Sequence, residues 1–396
     1  MSLESMSAIA RQPAQVGDVA LARKALVWLW VCLGFAVLAF GVGASWDRSW
    51  HGTHPFEQFW SPPHLFIYSM TLAGALTFLR VLLDRSLREQ FGSGFRLPIV
   101  PFDVPPSLMY AGGGYAALWL AGGLDNFWHS SFGLDETAWS LPHATLRFGI
   151  LTILAGLFSC QLALADRVPV RWYPRVLFSW ILLSLLEKLA TGPFGSYTIP
   201  AIERRLSQLP VLLVPPTEHL FRIDAQWNLN HTNPFYLVLA ALGIGIGLAV
   251  VRGIDRRDWF LAAIALAVTI ASMLDERRLA ARLGIVGEPG AWLPTPMIIA
   301  AVVFLVAARF GVNRHVAWIV AGWALGVAIC LFWHIAAVWI IPGALVMPLG
   351  ALIGEQVIQT IARPTGPTVL RFVAITNLGI PITVGCVDLF LRWSTA

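Results

Sequence analysis

The chain has 396 residues, of which 57% are hydrophobic and only 12% are charged, and its mean hydropathy is +0.70. Soluble domains carry about 25% charged residues, so this composition excludes an ordinary soluble enzyme and predicts an integral membrane protein. The net charge of +5 is scattered over short segments between apolar runs. This distribution excludes a nucleic-acid partner and is typical of chains oriented by cytoplasmic Lys and Arg.

Apolar runs dominate the chain from residue 26 onward. A helix of roughly 20 residues crosses a hydrocarbon core about 30 Å thick, and runs of this length recur with short polar connections between them. We therefore predict an all-α, polytopic membrane helical bundle of about eleven transmembrane helices. The stretch IIPGALVMPLG is also compatible with one kinked helix in place of two spans. The predicted spans cover residues 26–45, 64–84, 106–123, 143–164, 173–191, 234–252, 258–274, 291–309, 316–340, 345–362 and 368–391.

Positive charges between the spans predict the orientation and organisation of the chain. Arg and Lys concentrate in segments 1–25, 85–105, 165–172 and 252–257, which would face the cytoplasm of a bacterial-type inner membrane. Segment 275–290, which contains DERRLAAR, falls on the opposite side as a loop and breaks this bias. Four parts are predicted: a cytoplasmic N-terminal segment (1–25), a helical bundle carrying two metal sites (26–191), an outer-face interfacial loop (192–233) and an additional transmembrane bundle (234–396).

Two segments on the predicted non-cytoplasmic face carry the same residue types in the same order. Each has an Asp four residues before a His, and each ends with a Ser, a Pro and a second His. The second His follows the first by thirteen residues in one copy and by fourteen in the other. The copies are Asp47, Trp50, His51, Glu57, Trp60, Ser61 and His64, and Asp125, Trp128, His129, Glu136, Trp139, Ser140 and His143.

The spacing within each copy predicts its local structure. Residues four apart share one face of a helix, so each Asp should lie beside the first His of its copy. The sequences WSPPH and WSLPH are typical of helix starts, with Ser61 or Ser140 as the N-cap, proline in the first turn and the His in that turn. The intervening loop would then return the second His to the first pair.

One carboxylate and two imidazoles in each copy predict a metal site with open coordination positions. Copper, zinc and iron all suit such ligands, so the residue types alone do not select the metal. Ionisable side chains near the hydrocarbon boundary cost several kcal/mol unless they are paired or used, which favours a functional role. The alternative is an old duplication that preserves ordinary interface anchors, with Trp, Ser and Pro at helix entrances and hydrated histidines.

The first copy resembles the C subunit of the copper-containing membrane monooxygenases, the particulate methane and ammonia monooxygenases. The segments DRSWH and SPPH supply Asp47, His51 and His64 at the spacing of that subunit's Asp-His-His copper site. The resemblance covers residues 26–165, about a third of the chain. The helices after residue 230 have no counterpart that can be placed in that subunit, and the chain has no cupredoxin-like region.

The second copy matches the neighbouring copper site of the same subunit, which uses Asn, His and His. Asp125, His129 and His143 stand at those spacings, with Asp125 in place of the usual Asn. The resemblance implies that a second copper ion bound there would deliver electrons or share in oxygen activation. The substitution of Asp for Asn would make this site more anionic.

The resemblance implies a copper-dependent membrane monooxygenase, or its metal-site subunit, with O2 bound at Asp47, His51 and His64. It would hold one or two copper ions, with iron or zinc as alternatives, and would oxidise a small apolar substrate that arrives through the lipid. An external electron donor such as a quinol is required, and partner subunits or a homo-oligomer are implied. The alternative is a non-enzymatic copper-binding membrane protein for storage, transport or assembly, and a third possibility is a subunit that is inactive without its partners.

Several further polar residues have two interpretations each. His54 is either a fourth ligand or an exposed loop residue, and the repeated acids Glu57 and Glu136 either fix a histidine tautomer or are solvated. Two residues inside predicted spans, His334 and Glu355, are either functional or neutral core groups. An outer-face cluster either supports the copper region or caps the next helix; it comprises Glu218, His219, Asp224 and His231.

Overall fold

The computed structural model describes residues 16–51, 60–132, 140–168, 172–191, 235–282, 297–333 and 337–386. Helices account for 88% of these residues, which confirms the predicted all-α class. The order of elements in the first half is α1 (Val16–Val37), a π-helical segment (Leu38–Gly43), α2 (Ala44–His51), α3 (Pro62–Leu83), α4 (Arg85–Arg88), a 3-10 turn (Glu89–Phe91), β1 (Phe95–Arg96), β2 (Asp103–Val104), α5 (Pro106–Phe132) and α6 (Leu141–Ala163).

The second half is also built of helices. The elements are α7 (Trp172–Thr191), α8 (Phe235–Ile254), α9 (Asp258–Arg282), α10 (Met297–Arg309), α11 (Arg314–Trp333), a 3-10 turn (Ala337–Trp339), α12 (Ile340–Ala362), α13 (Gly366–Ala374) and a π-helical segment (Ile375–Gly379).

Within the described ranges, seven helices are long and apolar enough to cross a membrane, so the chain is an integral membrane protein. Three shorter apolar helices accompany them. The total of about eleven spans and the orientation stay predictions. The seven are Val19–Asp47, Pro62–Leu83, Leu141–Ala163, Asp258–Asp275, Arg314–Leu331, Ala337–Ala362 and Gly366–Cys386, and the shorter ones are Arg175–Leu186, Ala240–Ile254 and Met297–Arg309.

The chain forms two compact units. The first unit contains Met1–Ser131, Trp139–Pro174 and Gln359–Trp393, so the end of the chain returns to the bundle at its start. In this unit α13 packs on α5, where Phe372 meets the ring of Tyr110. The π-helical segment after α13 packs on α6, where Thr152 donates a hydrogen bond to Asn377 Oδ1 at 2.9 Å. Sequence periodicity carries no signal for such a return, because it depends on contacts between residues more than 200 positions apart.

Four helices of the first unit form a closed, antiparallel arrangement. α1 packs against α3, and α1 also packs against α6. α3 contacts α5 where Tyr115 approaches Gly74, and α5 contacts α6 where Gly114 approaches Ile153. Small residues at these points let the helices approach closely, which is the usual basis of helix association in membranes. The arrangement places both repeated segments at the same end.

The second unit has its own apolar core, built by α7 to α12. The rings of Phe304 and Trp318 stack with their centroids 3.7 Å apart. Gly350 and Gly354 of α12 lie against the backbone oxygens of Leu242 and Ile246 in α8, where a Cβ atom would not fit. This contact explains the GALIG sequence as a site of close helix packing.

Several boundaries differ from the predictions. α5 continues to Phe132 and α2 ends at His51, so the first parts of both predicted outer loops are helical. The prediction of a loop at DERRLAAR was wrong, because α9 extends through it to Arg282. IIPGALVMPLG lies within α12, which is a helix separate from α11, so the two spans predicted around it are two elements and the alternative of one kinked helix was wrong. Part of the predicted cytoplasmic loop 85–105 forms a two-stranded antiparallel hairpin.

Candidate metal centre

The helix starts predicted at WSPPH and WSLPH are confirmed. Ser61 is the N-cap of α3 and Ser140 is the N-cap of α6, each with proline in the first two positions of the helix. The Ser140 side chain accepts a hydrogen bond from the backbone N–H of His143 at 3.4 Å, whereas Ser61 makes no such cap bond. Each second His therefore stands in the first turn of a helix that leads into the apolar bundle.

Asp47 lies on α2, and a π-helical segment connects α1 directly to α2. A π turn contains an extra residue relative to the α-helix, so it rotates every side chain that follows it. The segment begins at Leu38 and ends at Gly43, and Gly43 is buried against Ile67 of α3. Asp47 follows by one turn, and the rotation thus contributes to the direction in which its carboxylate points.

The carboxylate of Asp47 meets the imidazole of His64. The Asp47 Oδ1 to His64 Nε2 distance is 3.1 Å. The His64 side chain is only 8% exposed and that of Asp47 only 19% exposed, so the pair is largely shielded from water. Two ligands that each lie about 2.0–2.2 Å from one ion are about 3 Å apart, so this separation suits a shared metal ion. One oxygen and one nitrogen donor of the predicted first triad thus converge.

The register between α1 and α3 explains why these two residues meet. Cys32 Sγ approaches the backbone oxygen of Gly74, and Gly43 approaches Ile67 further along the pair. Because the helices are antiparallel, each step forward on the first corresponds to a step back on the second. Continuing in this register brings Asp47 level with His64.

The same reasoning applies to the second triad. Gly156 packs on the backbone of Ala111, and Gly149 packs against Leu118. Continuing this antiparallel register of α5 and α6 places Asp125 level with His143. Asp125 is buried, with 7% exposure, and His143 is half-buried. The two residues therefore occupy positions equivalent to those of the first pair.

The contact between α3 and α5 relates the two triads to each other. Gly112 packs against Phe78, and Tyr68 faces Gly122 at the other end of the contact. Extending this register by one turn brings His64 level with Asp125. Residues of both repeated segments therefore lie at the same height along the helix axes, at one end of the four-helix arrangement.

The two remaining predicted ligands stand on helices. His51 ends α2 and His129 lies within α5, each four residues after its Asp, which confirms the predicted helical spacing. Their side chains lie outside the described part of the structure, as do His54, Glu57 and Glu136. Among the side chains that the structure describes, no group of three metal ligands is assembled.

The other polar candidates have different outcomes. Glu355 forms an ion pair with Arg314 at 3.2 Å within the second unit, which favours a structural role. His334 and residues 218–231, with Glu218, His219, Asp224 and His231, lie outside the described residues.

Two residues near the site escaped the sequence reasoning. Tyr68 follows His64 by one turn of α3, and its ring contacts the imidazole. Arg147 follows His143 by one turn of α6, inside a predicted span. A charged residue within an apolar run is a signal that the sequence does carry, since such residues are rare in membranes. Tyr68 gave no comparable signal, because tyrosine is common near membrane interfaces.

Comparisons with protein-family models, curated proteins and solved structures find no match for this chain.

Proposed function

We propose that this chain is a copper-dependent membrane monooxygenase, or the metal-site subunit of one. The observation that carries the proposal is the shielded contact between Asp47 and His64, because it joins the two ends of the repeated motif. The donor types suit a redox metal that also needs open positions. The choice of copper rests on the resemblance of the motif to the C subunit of the copper membrane monooxygenases.

The residues that would hold the ion are those of the two repeats. Asp47 and His64 would supply an oxygen and a nitrogen donor, with His51 as the third ligand. Asp125, His129 and His143 would form the second set, which lies at the same level. Copper, when bound, would supply one-electron redox chemistry toward O2.

The protein's own residues would prepare this chemistry by position and by shielding. Asp47 Oδ1 and His64 Nε2 are held 3.1 Å apart, and the burial of both side chains limits the access of bulk water. A dry site strengthens every interaction between charges within it. His64 lies in the first turn of α3, and a ligand on a helix has a more fixed geometry than one on a loop.

The substrate and partners that we propose are those that the resemblance to the copper membrane monooxygenases implies. A small apolar substrate would enter from the lipid, since the site stands at the end of apolar helices. An external reductant, for which a quinol is suitable, would supply electrons. Oxygenase partner subunits or further copies of this chain would complete the complex. The site would face the non-cytoplasmic side of a bacterial-type inner membrane.

Metal analysis tests the assignment of the ligands. We expect the purified chain, loaded with copper and washed with a weak chelator, to retain bound copper. His64→Ala should lose most of the copper held by the first triad. His315→Ala is the matched control, because His315 is exposed at the start of α11, far along the chain from both repeats. Equal copper content in His64→Ala and the control would refute the site.

Oxygen uptake then separates an enzyme from a copper store. With a quinol or a strong reductant present, we expect short alkanes or alkenes to stimulate oxygen uptake by the copper-loaded chain, alone or with its partner subunits. Oxidised product should appear and should depend on His64. Copper binding without substrate oxidation in the complete complex would instead support the non-enzymatic copper-binding alternative.

A further inference from the structure

Tyr68 occupies a position between the two repeats. It lies on α3 four residues after His64, so the two side chains share one face of the helix. Their ring centroids are 5.8 Å apart with an angle of 44° between the planes. This is within the range of favourable contacts between aromatic rings. The tyrosine ring therefore packs beside the imidazole of His64.

The same ring also faces the helix that carries the second Asp. A Cβ atom added to Gly122 of α5 would lie 3.9 Å from Tyr68 Cε1, which is ordinary van der Waals distance. Gly122 precedes Asp125 by three residues, so both occupy the same face of α5. Tyr68 thus spans the gap between a ligand of the first triad and the helix of the second.

We propose that Tyr68 is a positioning residue, which holds the His64 imidazole toward Asp47 and transmits the position of α5 to it. Its importance for metal binding rests on the proposed function, but the contact that it maintains does not. A histidine side chain has two rotatable bonds, χ1 and χ2, and the intrinsic preference at χ2 is broad. A ring packed on one side and a carboxylate on the other would restrict both.

The proposed role requires the planar ring of Tyr68. Tyr68→Phe keeps the ring and should behave as the parent chain does. Tyr68→Leu removes the planar surface against His64 and should release the imidazole. The same release should follow from pushing the tyrosine aside without altering it.

Neighbouring glycines of α5 provide that indirect test with a matched control. Gly122→Leu places a side chain where the Tyr68 ring lies. Gly123→Leu adds the same side chain one position later, where no atom lies within 4 Å of an added Cβ. Both substitutions change helix propensity and apolarity alike, so a difference between them reports the contact with Tyr68. Gly122→Ala should be tolerated, because its Cβ would fit at ordinary contact distance.

The primary measurement uses the metal-free protein. Diethyl pyrocarbonate modifies accessible imidazoles, and peptide mass spectrometry gives the rate at His64, with the exposed His315 as an internal reference. We expect Tyr68→Leu and Gly122→Leu to raise the rate at His64 several-fold. Tyr68→Phe, Gly122→Ala and Gly123→Leu should leave it unchanged. An unchanged rate in both Tyr68→Leu and Gly122→Leu, or an equal increase in Tyr68→Phe or Gly123→Leu, overturns the proposal.

A spectroscopic measurement links this contact to the metal. In copper-loaded protein, the Cu(II) electron paramagnetic resonance spectrum should change in Tyr68→Leu and Gly122→Leu and be preserved in the three other variants. Failure of the parent chain to bind copper would refute the proposed function and leave the modification rates to decide the role of Tyr68. An altered modification rate with an unaltered copper spectrum would overturn the claim that Tyr68 positions a metal ligand.

Discussion

The two halves of the candidate centre have the same order of residues, but the helix pairs that carry them pack in different ways. In the first half, Gly43 of the π-helical segment meets the side chain of Ile67, and α1 approaches α3 through side chains. In the second half, Gly114 and Gly156 lie directly against the backbone of the facing helix, and α5 runs without a π turn. The second pair therefore meets through backbone at its glycines, where the first pair meets through a side chain.

This difference shows which parts of the repeated pattern determine the structure. Both copies share the helix start with Ser, Pro and His, and both place the Ser at the N-cap and the His in the first turn, although only Ser140 makes a cap bond. The helices that carry Asp47 and Asp125 differ in packing and in local geometry. The direction of each carboxylate is thus set by its own helix pair, while the position of each second His is set by its local sequence.

The largest expected effect comes from removing one carboxylate at a time. Asp47→Ala should lower copper affinity by more than about 100-fold, because losing a ligand exceeds the 10–100-fold effect of losing its supporting partner. Asp125→Ala should act in the same direction. Isothermal titration with Cu(I) under anaerobic conditions measures both.

The double variant decides whether the halves act together. Because His64 and Asp125 lie at one level, we expect the losses in Asp47→Ala and Asp125→Ala to be coupled and not additive. Fully additive losses in the double variant would show two independent sites and contradict the shared level derived from helix register.

Glycine substitution tests the difference in packing between the halves. Gly156→Ala places a Cβ against the backbone of Ala111, which cannot move alone, so we expect a loss of about 2–3 kcal/mol in the free energy of unfolding. Gly43→Ala meets Ile67 Cγ1, an atom of a side chain that can shift more readily than backbone, and should cost less than Gly156→Ala. Gly34→Ala is the control, since no atom lies within 4 Å of an added Cβ. Thermal unfolding in one detergent compares all three, and an equal loss at Gly43 and Gly156 would remove the distinction.

Asp255 is a carboxylate that forms ion pairs with arginines, and it serves as a reference for the carboxylates of the candidate centre. Asp255, between α8 and α9, accepts a hydrogen bond from Arg257 Nε at 2.9 Å and lies 3.7 Å from Arg175 Nη1. The hydrogen bond from Arg257 holds the pKa of Asp255 below its usual value, assisted by the positive charges. The folded state therefore favours the ionised form.

The resulting stability should be present above pH about 4 and lost as the pH falls through the lowered pKa. Asp255→Asn should cost about 1 kcal/mol at pH 7 and much less at a pH below the lowered pKa of Asp255, where its carboxyl group is protonated in the folded state as well. Unfolding curves at the two pH values, with and without copper, measure this. A copper-dependent difference at Asp255 would weaken the use of copper as a specific probe of the candidate centre.

The smallest effect is expected at the helix caps. Ser140→Ala removes the acceptor for the His143 N–H and should lower stability by about 0.5 kcal/mol, since the bond is long. Ser61→Ala should have a smaller effect, because Ser61 makes no cap bond. Thermal unfolding of the two variants checks the order, and a larger loss at Ser61 would contradict the contrast between the two helix starts.

The sequence alone determined the membrane class, the helical architecture and the local structure of both repeats. Long apolar runs can cross a membrane only with their backbone hydrogen bonds satisfied internally, so helices follow from composition. The Asp-to-His spacing and the Ser-Pro-His starts were predicted correctly, because caps and turns depend on neighbours within one helical turn. Metal binding and the function stay predictions.

Only the tertiary structure decided which distant side chains meet. The contact between Asp47 and His64 depends on the register of α1 and α3, and that register depends on small residues such as Gly74 and Gly43 that the periodicity does not distinguish. The π turn, the position of Tyr68 and the return of α13 to the first unit also arise from packing. Such features cannot be predicted from the sequence pattern, because each depends on contacts between separate helices. Many helix faces are apolar, and the fit between their surfaces decides which of them pack together.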